Sequence, residues 1–530
     1  GTEVLRHRLG SPGEDTPHDV AGTEARVIQR YETFDLSPYA SLLHEGENVV
    51  AIQSAIGAPN LPRFVLDAGI LAGGPKPGRI FASPNRTILL GGQARIPQTR
   101  SVLLNDEPTT FVCWKAAWEK RVTLADGWNT FKAAALDESG CAIETTTERF
   151  FYSQNQTLVG GELAADTVWR AVDGPSRVTS SLIVPAGRTL RIEPGAIIMI
   201  DGNQSIFVYG KMQALGNPVA PITFSATDQD NPWLSVVFFN TAEDNRLEHC
   251  ELDGGSYIKN LQTADFGNIL VVNSNLTLTG VTVRNADYQG LRLRNSRAVL
   301  ANSHFEDVYA GVDGEASSLD AVGVTVRGTR DGGDAMDFDG ESSPGLRIAQ
   351  CRFDDITDDG LDFAGGNPVI SRVQMFRISD KGISVDGSAH VIGDHILVAK
   401  AAEGVAIRQN STGDFDHLTI ADCATGVGYY AKFPGDGGGS GSVSNSIVWA
   451  NDLNLRVDGE SSLAVTYSIV GGPVLPPGEG NFNADPLFVS PVNDNYYLSS
   501  SSPALDAASD GSDIGALGTE NPPTQIWMFY

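Results

Sequence analysis

Asp313, Asp337 and Asp362 each hold the third place of a four-residue pattern, small-apolar-variable-apolar, that returns along the middle of the chain. Asp334, Asp339, Asp358, Asp359 and Asp380 crowd the adjoining positions. If successive patterns stack, the carboxylates of one column lie about 4.8 Å apart. Like charges at that separation repel by about 1 kcal/mol each even in water. A bound cation is the natural relief, and calcium, which accepts about six to eight oxygens in flexible geometry, suits a carboxylate ladder with turn carbonyls beside it. Asp313, Asp334, Asp337, Asp359, Asp362 and Asp380 are therefore candidate calcium ligands. The competing reading is a solvated acidic face, or Asp side chains that cap tight turns through their own backbone.

The elements that must position these groups follow from the repeat. Its copies are Gly290-Leu-Arg-Leu293, Gly311-Val-Asp-Gly314, Ala335-Met-Asp-Phe338, Gly360-Leu-Asp-Phe363, Gly382-Ile-Ser-Val385, Gly404-Val-Ala-Ile407 and Gly426-Val-Gly-Tyr429, at steps of 21, 24, 25, 22, 22 and 22 residues. Apolar pairs spaced by two lie between them, as in Leu276-Thr-Leu278, Val281-Thr-Val283 and Leu346-Arg-Ile348. That spacing belongs to strands with one buried face. A unit of this length cannot close a core alone and must stack on its copies. Leucine-rich repeats need fixed Leu and Asn positions that are not found here. The pattern predicts an all-β fold dominated by a right-handed parallel β-helix, a pectate-lyase-like solenoid, in which the variable residue faces solvent.

Composition narrows the function. The 530 residues carry 65 acidic against 37 basic side chains, a net charge of -28, which argues against nucleic acid and anionic membranes and suits a secreted protein. No apolar run is long enough to span a bilayer. Gly1 cannot be an initiator, so a processed or truncated form is expected. Of the five cysteines, Cys113 and Cys141 could pair, whereas Cys250, Cys351 and Cys423 sit at apolar positions of the coils and read as small buried hydrophobes. Motifs for a nucleophile elbow, a phosphate loop or a zinc protease do not occur. His249, His304, His390, His395 and His417 show no partner pattern and read as surface or turn residues.

Taken in order, residues 1–75 read as strands of a partial jelly-roll, the closing half of a larger module. Residues 79–158 read as a β-sandwich spacer, residues 160–518 as the β-helix and residues 519–530 as an apolar tail. Half a sandwich leaves sheet edges open, so the ends either dock on another copy or on another part of a larger precursor, or are held by the flank of the solenoid. Trp169, Trp233 and Trp449, with Tyr429-Tyr430 and Tyr496-Tyr497, are either sugar-stacking platforms or core.

Several stretches carry a resemblance. The spacer resembles the immunoglobulin-like modules of bacterial surface proteins. Val184-Pro-Ala-Gly-Arg-Thr-Leu-Arg-Ile-Glu-Pro-Gly195, Asp359-Gly-Leu-Asp-Phe363, Ser379-Asp-Lys-Gly-Ile-Ser-Val385 and Asn483-Ala-Asp-Pro-Leu-Phe488 resemble the β-helix region of secreted bacterial proteins that also carry lamin-tail and CotH-kinase modules. The resemblance implies an architecture more than an activity. The open ends of a solenoid and the incomplete first domain point to a secreted or cell-surface scaffold, structural or adhesive, that assembles with its own copies into a filament or surface layer. No kinase-like portion is found. The alternative comes from β-helix polysaccharide lyases, in which calcium neutralises a uronate and a Lys or Arg removes the adjacent proton. Lys381 and Arg408 are the catalytic candidates of that reading, with polysaccharide as partner. Carboxylates around Lys381 push its pKa up, which disfavours it as a base. A glycoside hydrolase needs two carboxylates in different environments, and the sequence offers the spacing without the difference.

Overall fold

The computed structural model describes residues 80–94, 98–228, 231–256, 267–340 and 345–519. The partial jelly-roll expected over residues 1–75 and the tail after Thr519 lie outside the described residues. The chain divides into a small unit over residues 85–149 and a large unit formed by residues 79–84 and 150 onward.

In the small unit, Thr87–Gln93 pairs antiparallel with Ala117–Thr123, which also carries Thr110–Val112. Ser101–Leu104 pairs antiparallel with Gly127–Leu136 in a second sheet. Ala94, Val102 and Ala135, with Phe111 and Trp118 against them, form a cluster between these strands. Cys113 and Cys141 are exposed free thiols, so the pairing left open by the sequence is not made.

The large unit is a parallel β-helix, wound right-handed as parallel crossovers are. One coil comprises Asn275–Thr279, Thr282–Arg284 and Leu291–Arg294, and the next Arg297–Ala301, His304–Glu306 and Val312–Glu315. Each strand pairs in parallel with its counterpart one coil on, as Leu276 with Ala298, Val283 with Phe305 and Leu291 with Val312. Period-two alternation explains the cross-section. Leu276, Leu278, Val283, Leu291 and Leu293 point inward and are buried, and their equivalents continue them into one apolar stack. Each such side chain contributes about 1.5–3 kcal/mol by leaving water. Cys250, Cys351 and Cys423 occupy inward positions as expected.

The small residue of the repeat marks a corner where neighbouring coils touch. A Cβ on Gly382 would come within 2.6 Å of the Gly404 carbonyl oxygen and 2.5 Å of a Val398 methyl. Ala335 sits at the same place in its own coil, so the corner can accept a methyl group but not a branched side chain. Gly382→Val is expected to destabilise the solenoid by about 3 kcal/mol or more through overpacking against backbone, read as a lowered thermal midpoint.

After the last coils the chain returns along the outside. Tyr496, Ala516 and Leu517 pack on Phe376, Leu397, Ala399 and Ala421, outward residues of the second strand in each coil. Asp494 receives Lys400 Nζ at 2.6 Å and also pairs with Arg377. The corner and third strand beyond it carry the polar residues.

Candidate functional site

Register fixes two polar columns on that face. The first runs through the variable residue of the repeat: Arg292 pairs with Asp313, Asp313 with Asp337, Asp337 with Asp362, and Asp362 with Ser384. Ala406, Gly428 and Arg456 continue it. The second column is the residue just before the small one. Gly311 N–H donates to the Asp334 carbonyl, Ala335 N–H to that of Asp359, and Gly360 N–H to that of Lys381. Lys381 then pairs with Glu403 and Glu403 with Thr425. The sequence offers Asp334 and Asp359 as candidate calcium ligands and Lys381 as a catalytic candidate, but not the line that the three form. Their constant offset from the small residue was the available signal.

The columns do not stand in open solvent as the alternation alone suggested. The Asp313 side chain is 13 % exposed and that of Arg292 18 %, while Ser384, Ala406 and Gly428 are buried. The second column and the adjoining corner residues shield the first, and this burial sets the electrostatics. Burial pushes Asp334 up to about 8, with repulsion from Asp359, Asp358 and Asp362 adding to it and a backbone hydrogen bond opposing. Burial also takes Asp337 to about 8, reinforced by Asp339, Asp334 and Asp362 and opposed by Arg292. Asp359 rises by burial only to about 6, because the Lys381 charge and backbone N–H hold its anion. Burial raises Asp362 while a Ser384 hydrogen bond pulls it down, and Asp358 rises through burial and its acidic neighbours.

The contacts link the coils like rungs. Asp359 N–H donates to Asp334 Oδ1 at 2.7 Å, and Lys381 N–H donates to Asp359 Oδ1 at 2.8 Å. Lys381 Nζ reaches Asp359 Oδ1 at 3.4 Å and pairs closely with Asp380. Burial alone would lower the Lys381 pKa, but these two carboxylates outweigh it and hold the ammonium above its ordinary value. Oxygens of Asp334, Asp358 and Asp359 lie within 4.8 Å of one another. Arg408 is buried, its Nη2 donating to Ser384 Oγ at 2.7 Å and reaching Asp386 at 3.4 Å, and it is not presented to a ligand. Glu403 accepts the Tyr430 hydroxyl at 2.8 Å, and the Arg456 guanidinium lies over the Tyr430 ring. The candidate residues thus converge, with Asp313, Asp337 and Asp362 in one column, Asp334, Asp359 and Lys381 in the other, and Asp380 at the rim.

Of the aromatics that the sequence leaves as platforms or core, most are core. Trp169, Trp233, Tyr429 and Tyr496 are buried. The half-buried Tyr288 and Tyr309, which the sequence reading passed over, sit instead two residues before Gly290 and Gly311, with ring centroids 6.4 Å apart.

The histidines also form a pattern that the sequence did not reveal. His395 and His417 occupy equivalent left-handed corners with φ of 52° and 51°, and their rings stack at 4.6 Å. His417 Nε2 lies 2.9 Å from Ser512 Oγ, whose hydroxyl donates to Asp510 at 2.6 Å. His395 Nδ1 bonds Asp394 at 2.8 Å. The cluster is an alternative place for a metal ion, on a different corner from the carboxylates.

The chain matches no protein-family profile, and no curated protein matches it. Among solved structures, the pectate lyase Pel9A is 16% identical over 63% of this chain and 89% of its own, with a TM-score of 0.37. The catalytic domain of a GH87 α-1,3-glucanase in complex with tetrasaccharides is 12% identical over 72% of this chain and 89% of its own, at 0.41. A family 28 exopolygalacturonase from Yersinia enterocolitica is 13% identical over 78% of this chain and 99% of its own, at 0.30. What this chain has in common with the three is the parallel β-helix.

Proposed function

We propose that the carboxylate face cleaves a glycosidic bond by general acid and base catalysis. The observation that carries the reading is the unequal hold on protons by carboxylates on adjacent coils. Asp334 is pushed to about 8 and Asp359 only to about 6, so near neutrality the first keeps its proton and the second is an anion beside Lys381. Two carboxyl groups whose environments push their pKa values apart can divide acid and base roles. Asp334 donates its proton to the departing glycosidic oxygen as the C–O bond breaks. With their oxygens within 4.8 Å, Asp334 and Asp359 stand too close to hold a water between them, so the Asp359 anion attacks the anomeric carbon. Water then cleaves that glycosyl ester while Asp334 takes the proton water releases. Lys381, held protonated, stabilises the Asp359 anion and is unsuited to abstract a proton itself.

A second reading rests on the same oxygens. Asp334, Asp358 and Asp359 could hold a hard divalent cation such as calcium, although Asp334 and Asp359 each have one oxygen engaged by a backbone N–H. Calcium would need further oxygens from water or turn carbonyls. The surface-scaffold reading depends on ends of the chain outside the described residues, and nothing in the described coils favours it.

The test is release of reducing ends from a panel of polysaccharides across pH, with and without a chelator. A bell-shaped profile with limbs near 6 and 8 that survives chelation is expected. Activity lost on chelation and restored by calcium would favour the second reading. Hydrolysis of none of the polymers would overturn the first.

A further inference from the structure

We infer that the substrate is an uncharged glycan lying along the stack of coils, with one of its sugar rings against Tyr288 and Tyr309. The inference rests on the acid and base reading above and adds to it the substrate class and a binding subsite.

Charge is the first argument. The two columns bring Asp313, Asp334, Asp337, Asp358, Asp359 and Asp362 together, while the nearby cations are already engaged: Arg292 by Asp313, Lys381 by Asp359 and Asp380, and Arg408 by Ser384 and Asp386. Even with protons on Asp334 and Asp337, a carboxylated sugar beside them would add a negative charge where negative charge is already in excess; the exposed Arg456 lies further along the column, over the Tyr430 ring. Repulsion at such short range in a partly buried site is much stronger than in water.

Hydrogen bonding is the second argument and is independent of the first. Gln289 Oε1, Asp362 Oδ1 and Glu403 Oε1 are buried oxygens with no hydrogen-bond partner, and Glu403 as a whole is 8 % exposed. All three belong to the two columns and are spread along the stack. Each is an acceptor, and Gln289 Nε2 is engaged at 3.0 Å by Asp313. A buried acceptor without a partner is costly. Sugar hydroxyls supply donors at repeated intervals on neutral and acidic glycans alike, so this argument places a glycan along the columns and the charge selects its class.

The aromatic pair is the third argument. Tyr288 and Tyr309 occupy the same corner position, two residues before the small residue, that Asp358 and Asp380 occupy further along. Their rings are half-buried and inclined at 45°. Burial raises the Tyr309 pKa, and the charges of Asp334, Asp358, Asp331 and Asp337 add to that, which puts the ring beside the carboxylates. An apolar ring face with a polar tip at the end of the acidic columns fits the CH face and hydroxyl rim of a pyranose.

The experiment compares soluble neutral glucans and mannans with polygalacturonate and alginate. At least tenfold faster cleavage of a neutral polymer is expected. Y309A should raise KM for that polymer about tenfold with a much smaller fall in kcat, and Y309F should restore it, since the ring remains. Faster cleavage of a uronate polymer, or an unchanged KM in Y309A, would overturn the inference while leaving the acid and base reading standing. If no polymer is cut, mobility in native gels cast with each polymer decides the inference alone. Retardation by a neutral polymer that is lost in Y309A supports it, and retardation by the acidic polymers only, or by none, overturns it.

Discussion

Asp334→Asn is expected to lower kcat by about 10²–10⁴-fold on a natural glycosidic bond, the usual worth of a positioned proton donor. The loss should shrink sharply on a substrate whose leaving group departs without protonation, such as a glycosyl fluoride. Asp359→Asn should lose comparable activity on both substrates, because the attacking carboxylate is gone whichever group leaves. Each Asn keeps an oxygen to accept the backbone N–H that Asp334 and Asp359 now receive. Both variants should therefore fold with thermal midpoints at or above that of the parent chain. Equal losses on both substrates for Asp334→Asn would remove it from the proton-donor role.

Stability should fall as pH rises from about 4 to about 8. Asp334 and Asp337 have ordinary carboxyl values when unfolded and values near 8 when folded, so across this window the folded chain holds more protons than the unfolded one. The contribution is fully present below the unfolded value and is lost as pH passes through the folded one. Taken together, the two groups make a loss on the order of a few kcal/mol, discounted for water reaching a partly open face. A thermal scan should show the midpoint dropping by several degrees between pH 5 and pH 8. Asp337→Asn, which has no charge to bury, should flatten that slope and raise the midpoint at pH 8. A midpoint that stays level over this range, or a variant that follows the parent, would mean the carboxylates are better solvated than their burial indicates.

The solenoid was legible because its signal is both local and repeated. A small residue at the crowded corner, then apolar residues two apart, specifies the turn and the buried face in every coil, and an error in one copy is corrected by the next. The column through Asp313, Asp337 and Asp362 followed by counting. The column through Asp334, Asp359 and Lys381 escaped notice because its members differ in charge and type, and counting by residue type does not find a line of unlike residues. The protonation states were beyond the sequence altogether. They depend on burial at a corner, and burial is set by side chains one coil above and below and about 22 residues away. The histidine stack was hidden for another reason. Its left-handed corner runs through Gly280, Asn302, Gly323, Gln350 and Arg372 to His395, His417 and Asn445, so the glycines that announce such a backbone stand only in the earlier coils, away from the histidines. Tyr288 and Tyr309 lay two residues before the repeat pattern, while attention went to tryptophans and paired tyrosines that turned out to be filling.

The unbroken register from Arg292 to Gly428 has a consequence for how such a protein can change. Because the hydrogen bonds between coils are indifferent to the side chains outside them, the row of outward groups behaves like beads on parallel wires. Gain or loss of one whole coil slides every later bead by one place and leaves the frame untouched. The proton donor, the attacking carboxylate and the lysine that steadies it are neighbours only through this indexing. A duplication of some 22 residues could part them, or bring a different trio together, without a single substitution in the core.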